Sequence, residues 1–365
     1  MRYHREALEL MTTFQLGEIC RTEKLVLGML DPLDKEALIK VILRFRGADE
    51  VFLVRKHDPS GMKRLAESLV RTKLQEKDDL YISCHSKITV YKDLAMGFYD
   101  RLTVPYDRAI AGTNALVIGG DGKLCAILNV EAKGDDTTCL YLTKSAEMPV
   151  EDSEVKRYSL YCFEHQYSEL LYQLYTGEET HVPEYIPAYR TALLDFEVRQ
   201  PVNLVMPLAM DFGTTNTTAG VYLDSVYFEA AGLSHERHGL KENEVNYIKF
   251  YDVTKGWQET VLLHSVVSVL SVGLGENKLL FGYAAEQLAE SSYVDEGFCV
   301  FYDIKRWIGD YEKVEEITDR EGHRGFLKRK DILKEYLEYI INEAANQFKC
   351  HIEAVHISCP VKQKA

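Results

Sequence analysis

The chain has 365 residues, of which 46% are hydrophobic, so it is long enough for two or three domains with buried cores. Its formal net charge of −14, from 43 basic and 57 acidic side chains, argues against a general nucleic-acid-binding surface. We find neither a signal-peptide core after Met1 nor a run of eighteen apolar residues, and we therefore expect a cytoplasmic protein without a membrane segment.

Residues 1–78 are predicted to form a mainly helical module. Apolar residues recur at helical spacing from Leu38 to Phe45, and Asp31-Pro32 is a helix-start signal, so we expect helices at 14–24 and 33–46. The pair resembles the helix-extension-helix module of SAP and Rho N-terminal domains, which commonly bind nucleic acid. Residues 35–77 carry eleven basic and six acidic side chains. A small helical hairpin with solvated charges is the alternative, and it is the interpretation we favour.

Residues 79–200 are predicted to form a small antiparallel sheet with a tyrosine-rich helix. Apolar and β-branched runs predict strands at 88–91, 115–118, 124–128 and 139–142. A glycine-rich turn at 119–122 predicts a hairpin, and helical spacing between Tyr167 and Tyr175 predicts the helix. Tyrosines are frequent where protein partners dock, and residues 151–200 carry ten acids against four bases. This region therefore favours protein partners over nucleic acid.

The eight cysteines include no C-x-x-C pair and are expected to be free thiols. Cys350, His351, His356 and Cys359 fall within ten residues, and such a cluster can hold zinc when four ligands converge. The alternation of a strand puts His356 and Cys359 on opposite faces. A buried thiol with a surface imidazole is therefore favoured over a metal site.

The third region, residues 201–365, begins with a strand, a tight turn and a second strand. Gly213 permits a sharp turn with the backbone open to a ligand. Successive N–H groups and hydroxyls from Thr214 onward can form a nest for an anion, most plausibly phosphate. Asp211 ends the first strand, where its carboxylate can face a metal ion held by that phosphate. An ordinary Gly-Thr hairpin is the alternative.

The remaining chain is predicted to alternate strands and helices, as in an α/β unit. We expect strands at 246–251, 264–269, 279–281 and 354–358, and a connecting loop at 320–330. A helix is expected from Asp331 to about Phe348.

The segment Asp211-Phe212-Gly213-Thr214-Thr215-Asn216 closely resembles the first phosphate motif of the actin-like ATPase superfamily. Its residues are nearest to those of the DnaK-type heat-shock chaperones. Three further segments are similar to that family in the same order: the strand and hairpin at 264–285, Lys305-Arg306-Trp307-Ile308-Gly309, and the strand that leads into Pro360. The resemblance covers residues 205–365.

The resemblance implies a ribonuclease-H-like ATPase lobe, preceded here by a separate α+β region. It implies ATP or ADP with Mg²⁺ as ligands, and protein clients or co-chaperone-like partners for the amino-terminal region. Asp211 would orient a magnesium-bound water, Lys305 would neutralise charge near the γ-phosphate, and Pro360 would couple the nucleotide state to a substrate domain. The phosphates would be held by Gly213, Thr214, Thr215 and Asn216.

The family's second lobe has no counterpart before Ala365. We therefore expect an amino-terminal portion of a longer chaperone that binds ATP weakly on its own and does not turn it over. Two alternatives stay open: a non-catalytic interaction or scaffold protein with an ATPase-like lobe, and another enzyme on the actin-like fold.

Overall fold

The fold is mixed α/β. The computed structural model describes residues 3, 5–22, 25, 34–46, 52–78, 82–84, 87–97, 102–105, 110–132, 139–233, 239–273, 277–290, 297–320 and 322–358. No helix in these ranges is both long and apolar enough to span a membrane.

The helices are α1 Arg5–Glu9, α2 Thr13–Thr22, α3 Lys35–Arg46, α4 Pro59–Arg71, α5 His165–Thr176, α6 Ser225–Ala231, α7 Gly282–Glu290 and α8 Arg329–Phe348, with 3-10 helices at Val253–Lys255 and Ile304–Asp310. The strands are β1 Lys73–Lys77, β2 Lys87–Tyr91, β3 Thr103–Pro105, β4 Thr113–Gly119, β5 Leu124–Ala132, β6 Cys139–Thr143, β7 Tyr158–Cys162, β8 Tyr185–Leu193, β9 Asp195–Arg199, β10 Val202–Leu204, β11 Leu208–Phe212, β12 Asn216–Leu223, β13 Glu244–Tyr247, β14 Phe250–Asp252, β15 Gln258–Thr260, β16 Leu263–His264, β17 Val267–Ser271, β18 Lys278–Phe281, β19 Val300–Phe301, β20 Val314–Thr318, β21 Arg324–Lys328, β22 Cys350–Ile352 and β23 Val355–Ile357.

The amino-terminal helices pack around a small apolar core. Leu8, Leu16, Leu38 and Ile42 are buried there, as the helical spacing predicts. The Asp34 carboxylate accepts a hydrogen bond from the Ala37 N–H at 2.7 Å and so caps the start of α3. The predicted start signal at Asp31-Pro32 lies outside the described residues.

A seven-stranded sheet with the order β1-β8-β7-β4-β5-β6-β3 forms the centre of the next region. The predicted hairpin is confirmed, because β4 and β5 pair antiparallel across the glycine-rich turn. Two pairings differ from the predicted antiparallel arrangement: β1 pairs parallel with β8, and β2 pairs parallel with β9. Parallel partners need long crossovers, which local sequence patterns do not reveal. Because β1 lies at 73–77, the sheet crosses the predicted boundary at residue 78.

The carboxy-terminal sheet has the order β13-β12-β11-β23. β12 pairs antiparallel with β11 and β13, whereas β23 pairs parallel with β11. The long helix α8 precedes β23 in the chain and buries Ile332, Tyr336 and Ile340 against this sheet's core. The predicted α8 helix is thereby confirmed, with a start two residues earlier.

Two expectations for this region are wrong. The stretch 320–330 is not only a loop, because Arg324–Lys328 pairs antiparallel with Val314–Thr318. The single strand expected at 246–251 is two strands, β13 and β14. Between them, the backbone of Lys249 is hydrogen-bonded to the Gln347 side chain of α8. The Lys249 N–H donates to the Gln347 side-chain oxygen at 2.8 Å, and the Gln347 amide donates to the Lys249 carbonyl at 2.7 Å. The helix therefore replaces the neighbouring strand as a partner at that point.

Direct contacts join the amino-terminal sheet region to the carboxy-terminal lobe. The Tyr91 hydroxyl donates to the Ala231 carbonyl at 2.8 Å, and the Ala95 N–H donates to the Asn346 side-chain oxygen at 3.0 Å. The adjacent Met96 exchanges two backbone hydrogen bonds with Lys144.

Lys144 is a buried cation at this junction. Only 2% of the residue is exposed, and its ammonium donates to the carbonyls of Ser145 at 2.9 Å and Met148 at 3.2 Å. Burial lowers the pKa of Lys144 from its usual 10.5 to about 8, opposed by the charge of Asp93 and reinforced by that of Lys349.

Lys144→Met should remove a pH dependence of stability. Between pH 8 and 10.5 the folded protein binds fewer protons at this lysine than the unfolded chain does, so the free energy of unfolding rises with pH across that window. The rise attributable to Lys144 is at most about 3 kcal/mol. Urea unfolding from pH 7 to 10.5 gives the free energy of unfolding of each protein as a function of pH. The difference between the wild-type and Lys144→Met curves is the contribution of Lys144. Parallel curves would contradict the burial of a charged amine.

Candidate functional site

The predicted strand-turn-strand around Gly213 is confirmed as a tight hairpin. In β11, Leu208, Met210 and Phe212 face the core, whereas Asp211 is exposed. The Gly213 N–H donates to the Asn216 carbonyl at 3.0 Å and closes the turn. A Cβ added to Gly213 would lie 2.1 Å from that same carbonyl oxygen, so the turn requires glycine.

A chain of buried hydroxyls holds the turn from its inner side. The Ser265 hydroxyl donates to the Gly213 carbonyl at 2.9 Å, so Thr217 is the donor in its 3.1 Å bond with Ser265. The Tyr336 hydroxyl donates in turn to Thr217 at 3.0 Å. Burial raises the pKa of Tyr336 to about 12, so this phenol remains a donor at neutral pH.

Two further carbonyls of the turn accept hydrogen bonds, whereas the amides of Thr214 and Thr215 donate none within the described residues. Besides the Gly213 carbonyl, the Thr215 carbonyl accepts from the Ser265 N–H at 2.8 Å. Within the described ranges, the N–H groups of Thr214 and Thr215 have no hydrogen-bond partner. The buried side-chain oxygens of Asn216 and Thr218 also lack one within those ranges. The two unused amide donors are adjacent in the turn, as an anion nest requires, whereas the Asn216 oxygen is an acceptor and would not bind an anion.

Asp211 lies beside the end of β23. The Ser358 hydroxyl donates to the Asp211 carboxylate at 2.5 Å, and the Ser358 N–H donates to the Met210 carbonyl at 2.9 Å. A second carboxylate oxygen remains available to solvent or to a metal-bound water. The predicted coupling residue Pro360 lies outside the described residues.

Lys305 lies close to the ring of Phe212, the residue that precedes the turn, although the two residues are far apart in sequence. It belongs to the 3-10 helix Ile304–Asp310, in which Ile304 is fully buried in the core shared with Phe212. The Lys305 ammonium lies 5.9 Å from the centroid of the Phe212 ring, which immediately precedes Gly213. One positive charge is therefore held over the ring of the residue that precedes the turn.

The segment carrying Lys305 is fixed by aromatic packing. The Trp307 and Phe301 rings meet edge to face with centroids 5.2 Å apart. The Arg329 guanidinium lies 5.1 Å from the Trp307 ring and bonds Glu315 at 2.6 Å. This packing limits where the lysine stem can go.

The site fits a magnesium ion only together with a phosphate ligand. In the part of the chain that the structure describes, no three His, Cys, Asp or Glu side chains are grouped to hold a metal by themselves. Mg²⁺ usually keeps several waters and takes one or two carboxylates plus phosphate oxygens, which the single exposed Asp211 can satisfy. In the alternative cluster, Cys350 is buried, His351 and His356 are exposed, and Cys359 lies outside the described residues.

The structure thus places the Lys305 ammonium 5.9 Å from the ring of Phe212, the residue that stands between Asp211 and the turn 213–216 in the sequence. The sequence did not assign the roles of Ser265 and Tyr336. The signal available for Ser265 was a serine at the start of an otherwise apolar strand, and for Tyr336 a phenol on the apolar face of α8.

Comparison of the sequence with protein-family models matches no family, and comparison with curated proteins finds no match.

Gly213→Ala should destabilise the hairpin, because the new methyl group would overlap the Asn216 carbonyl. We expect the free energy of unfolding to fall by about 1–3 kcal/mol, the usual effect of overpacking. Gly309→Ala is the matched control, since a Cβ there meets no atom within 4 Å, and it should change stability by less than about 0.5 kcal/mol. Urea unfolding compares the two. Equal effects at both glycines would contradict the close approach seen at the turn.

Proposed function

We propose that this chain contains the first lobe of an ATP-binding protein related to DnaK-type chaperones, with the phosphate tail of Mg·ATP bound at Gly213, Thr214, Thr215 and Asn216. The observation that carries the proposal is the position of Lys305. Its ammonium lies beside the residue that precedes Gly213, although 92 residues separate the two positions in the sequence. Unpartnered amides and a nearby ammonium form a site complementary to a polyphosphate.

The strand order supports the ribonuclease-H-like part of the proposal. Three antiparallel strands, β13, β12 and β11, are followed at the sheet's other side by β23, which runs parallel to β11. The long helix α8 comes just before β23, as in a helical crossover. This is the arrangement that the resemblance to the actin-like superfamily implies for its first lobe.

Each residue has a separate role in the proposal. The amides of Thr214 and Thr215 donate to phosphate oxygens, and Asp211 orients a water in the shell of Mg²⁺. Lys305 neutralises negative charge on the terminal phosphate. Phosphoryl transfer depends mainly on such positioning and charge neutralisation. In the family the nucleotide lies between two lobes, so the residues described here provide one side of the site.

Lys305→Ala should weaken Mg·ATP binding. For the wild-type chain we expect a Kd of about 0.1–1 mM, because the described residues supply one side of the proposed site. Loss of a charged phosphate contact should raise it at least about tenfold. Amide chemical-shift titration reports the binding directly on Thr214 and Thr215. Mg·pyrophosphate should shift the same two signals, whereas adenosine should not.

Arg306→Ala is the matched control. Arg306 adjoins Lys305 but is exposed and lies 3.5 Å from Asp303, so its loss should leave the Kd within about twofold. Absence of any shift at Thr214 and Thr215, or equal Kd values for the Lys305 variant and the wild type, would refute the proposal.

A further inference from the structure

A cavity lies apart from the turn at residues 213–216, which we name the phosphate turn after its proposed ligand. Its volume is about 280 Å³, and it opens between α8, strand β14 with the adjoining 3-10 turn, and the amino-terminal segment 95–97. Neither the turn residues 211–216 nor Lys305 lines it. Cavities between two parts of a chain are common places for small ligands.

One wall of this cavity is polar and comes from a single face of α8. Tyr339, Glu343 and Asn346 follow one another at i, i+4 and i+7, and all three line the cavity. Within the described part of the chain the Tyr339 hydroxyl has no hydrogen-bond partner. The Asn346 oxygen accepts from Ala95, which leaves the amide nitrogen to donate.

Glu343 is the acidic group of this wall. One of its oxygens lies 3.5 Å from the Gln347 amide nitrogen, a long contact. Burial raises the pKa of Glu343, while the Gln347 amide and the charge of Lys349 lower it. The carboxyl group can therefore still accept a stronger hydrogen bond from a ligand.

Aromatic side chains also line the cavity. They include Trp257, whose ring is tilted 49° against Tyr251 at 6.1 Å, and Tyr283. The Phe281 ring stacks on Tyr339 at 5.2 Å. Trp257 has a φ of +65°, a left-handed conformation that bulky residues rarely adopt. Such strain is typical of ligand clamps and other functional positions.

The charges around the cavity are balanced. The Lys249 ammonium lies 2.9 Å from Glu259, and the charge of Lys349 acts on Glu343. A cationic ligand would meet two ammonium groups, and an anionic ligand would meet Glu343. An uncharged ligand leaves the balance intact.

We propose that this cavity binds an uncharged planar heteroaromatic molecule of nucleobase size. Its ring would pack against Trp257 and Tyr283, and its polar edge would be bound by Tyr339, Glu343 and Asn346. Carboxylate and amide side chains are the groups that pair with the N–H and ring-nitrogen edges of such molecules. The inference uses none of the phosphate-turn residues and does not depend on the function proposed above.

Trp257 provides the test, because the chain has only two tryptophans. In a Trp307→Phe background, its fluorescence is recorded during titration with adenine, uracil and nicotinamide as neutral probes. Benzamidine and benzoate serve as planar probes of positive and negative charge. At least one neutral probe should quench the Trp257 fluorescence to saturation, with a Kd of about 1 mM or lower. Both charged probes should bind at least about tenfold more weakly.

Three further variants in that background separate the contacts. Tyr339→Phe keeps the ring but removes the hydroxyl, and it should raise the Kd of the neutral probe about three- to tenfold. Tyr311→Phe removes an exposed hydroxyl outside the cavity and should have no effect. Lys305→Ala should also bind the probe normally, which distinguishes this cavity from the phosphate site. The proposal fails if no neutral probe quenches, if a charged probe binds as tightly, or if Tyr339→Phe binds unchanged.

Discussion

The hydrogen-bonded chain from Tyr336 through Thr217 and Ser265 to Gly213 is the constraint on which the candidate site depends. It runs from the long helix through the second strand to the turn, and its three hydroxyls are buried. Because each hydroxyl donates to the next oxygen, none is left unsatisfied in the core, where an unmade bond is costly. The chain ends on the Gly213 carbonyl, and the amides of Thr214 and Thr215 have no hydrogen-bond partner among the described residues.

Core packing positions the two charged groups of the candidate site. Phe212 and Ile304 are buried in one apolar cluster, and burying them together brings Lys305, the neighbour of Ile304, to the ring of Phe212. The parallel pairing of β23 with β11 sets Ser358 against the Asp211 carboxylate. Asp211 and Lys305 are thus held by a strand and a short helix rather than by long loops.

The long helix α8 serves two separate places. Tyr336 donates a hydrogen bond to Thr217 behind the turn at Gly213, whereas Tyr339, Glu343 and Asn346 line the cavity. Asn346 also binds the backbone of Ala95, so this helix connects the amino-terminal sheet region to the carboxy-terminal lobe. A ligand in the cavity would contact both parts of the chain at once.

The sequence by itself determined the local structure. The spacing of apolar residues and the residue types at turns, read over a few positions, predict the turn at Gly213, the hairpin of β4 and β5, and the helix α8. Tertiary structure decided the pairings between distant segments. These include the parallel pairing of β1 with β8 and of β2 with β9, and the interruption between β13 and β14 by Gln347. It also decided the roles of Ser265 and Tyr336, which act on oxygens 52 and 119 residues away. Local patterns specify backbone conformation, whereas burial of the common core decides which distant side chains meet.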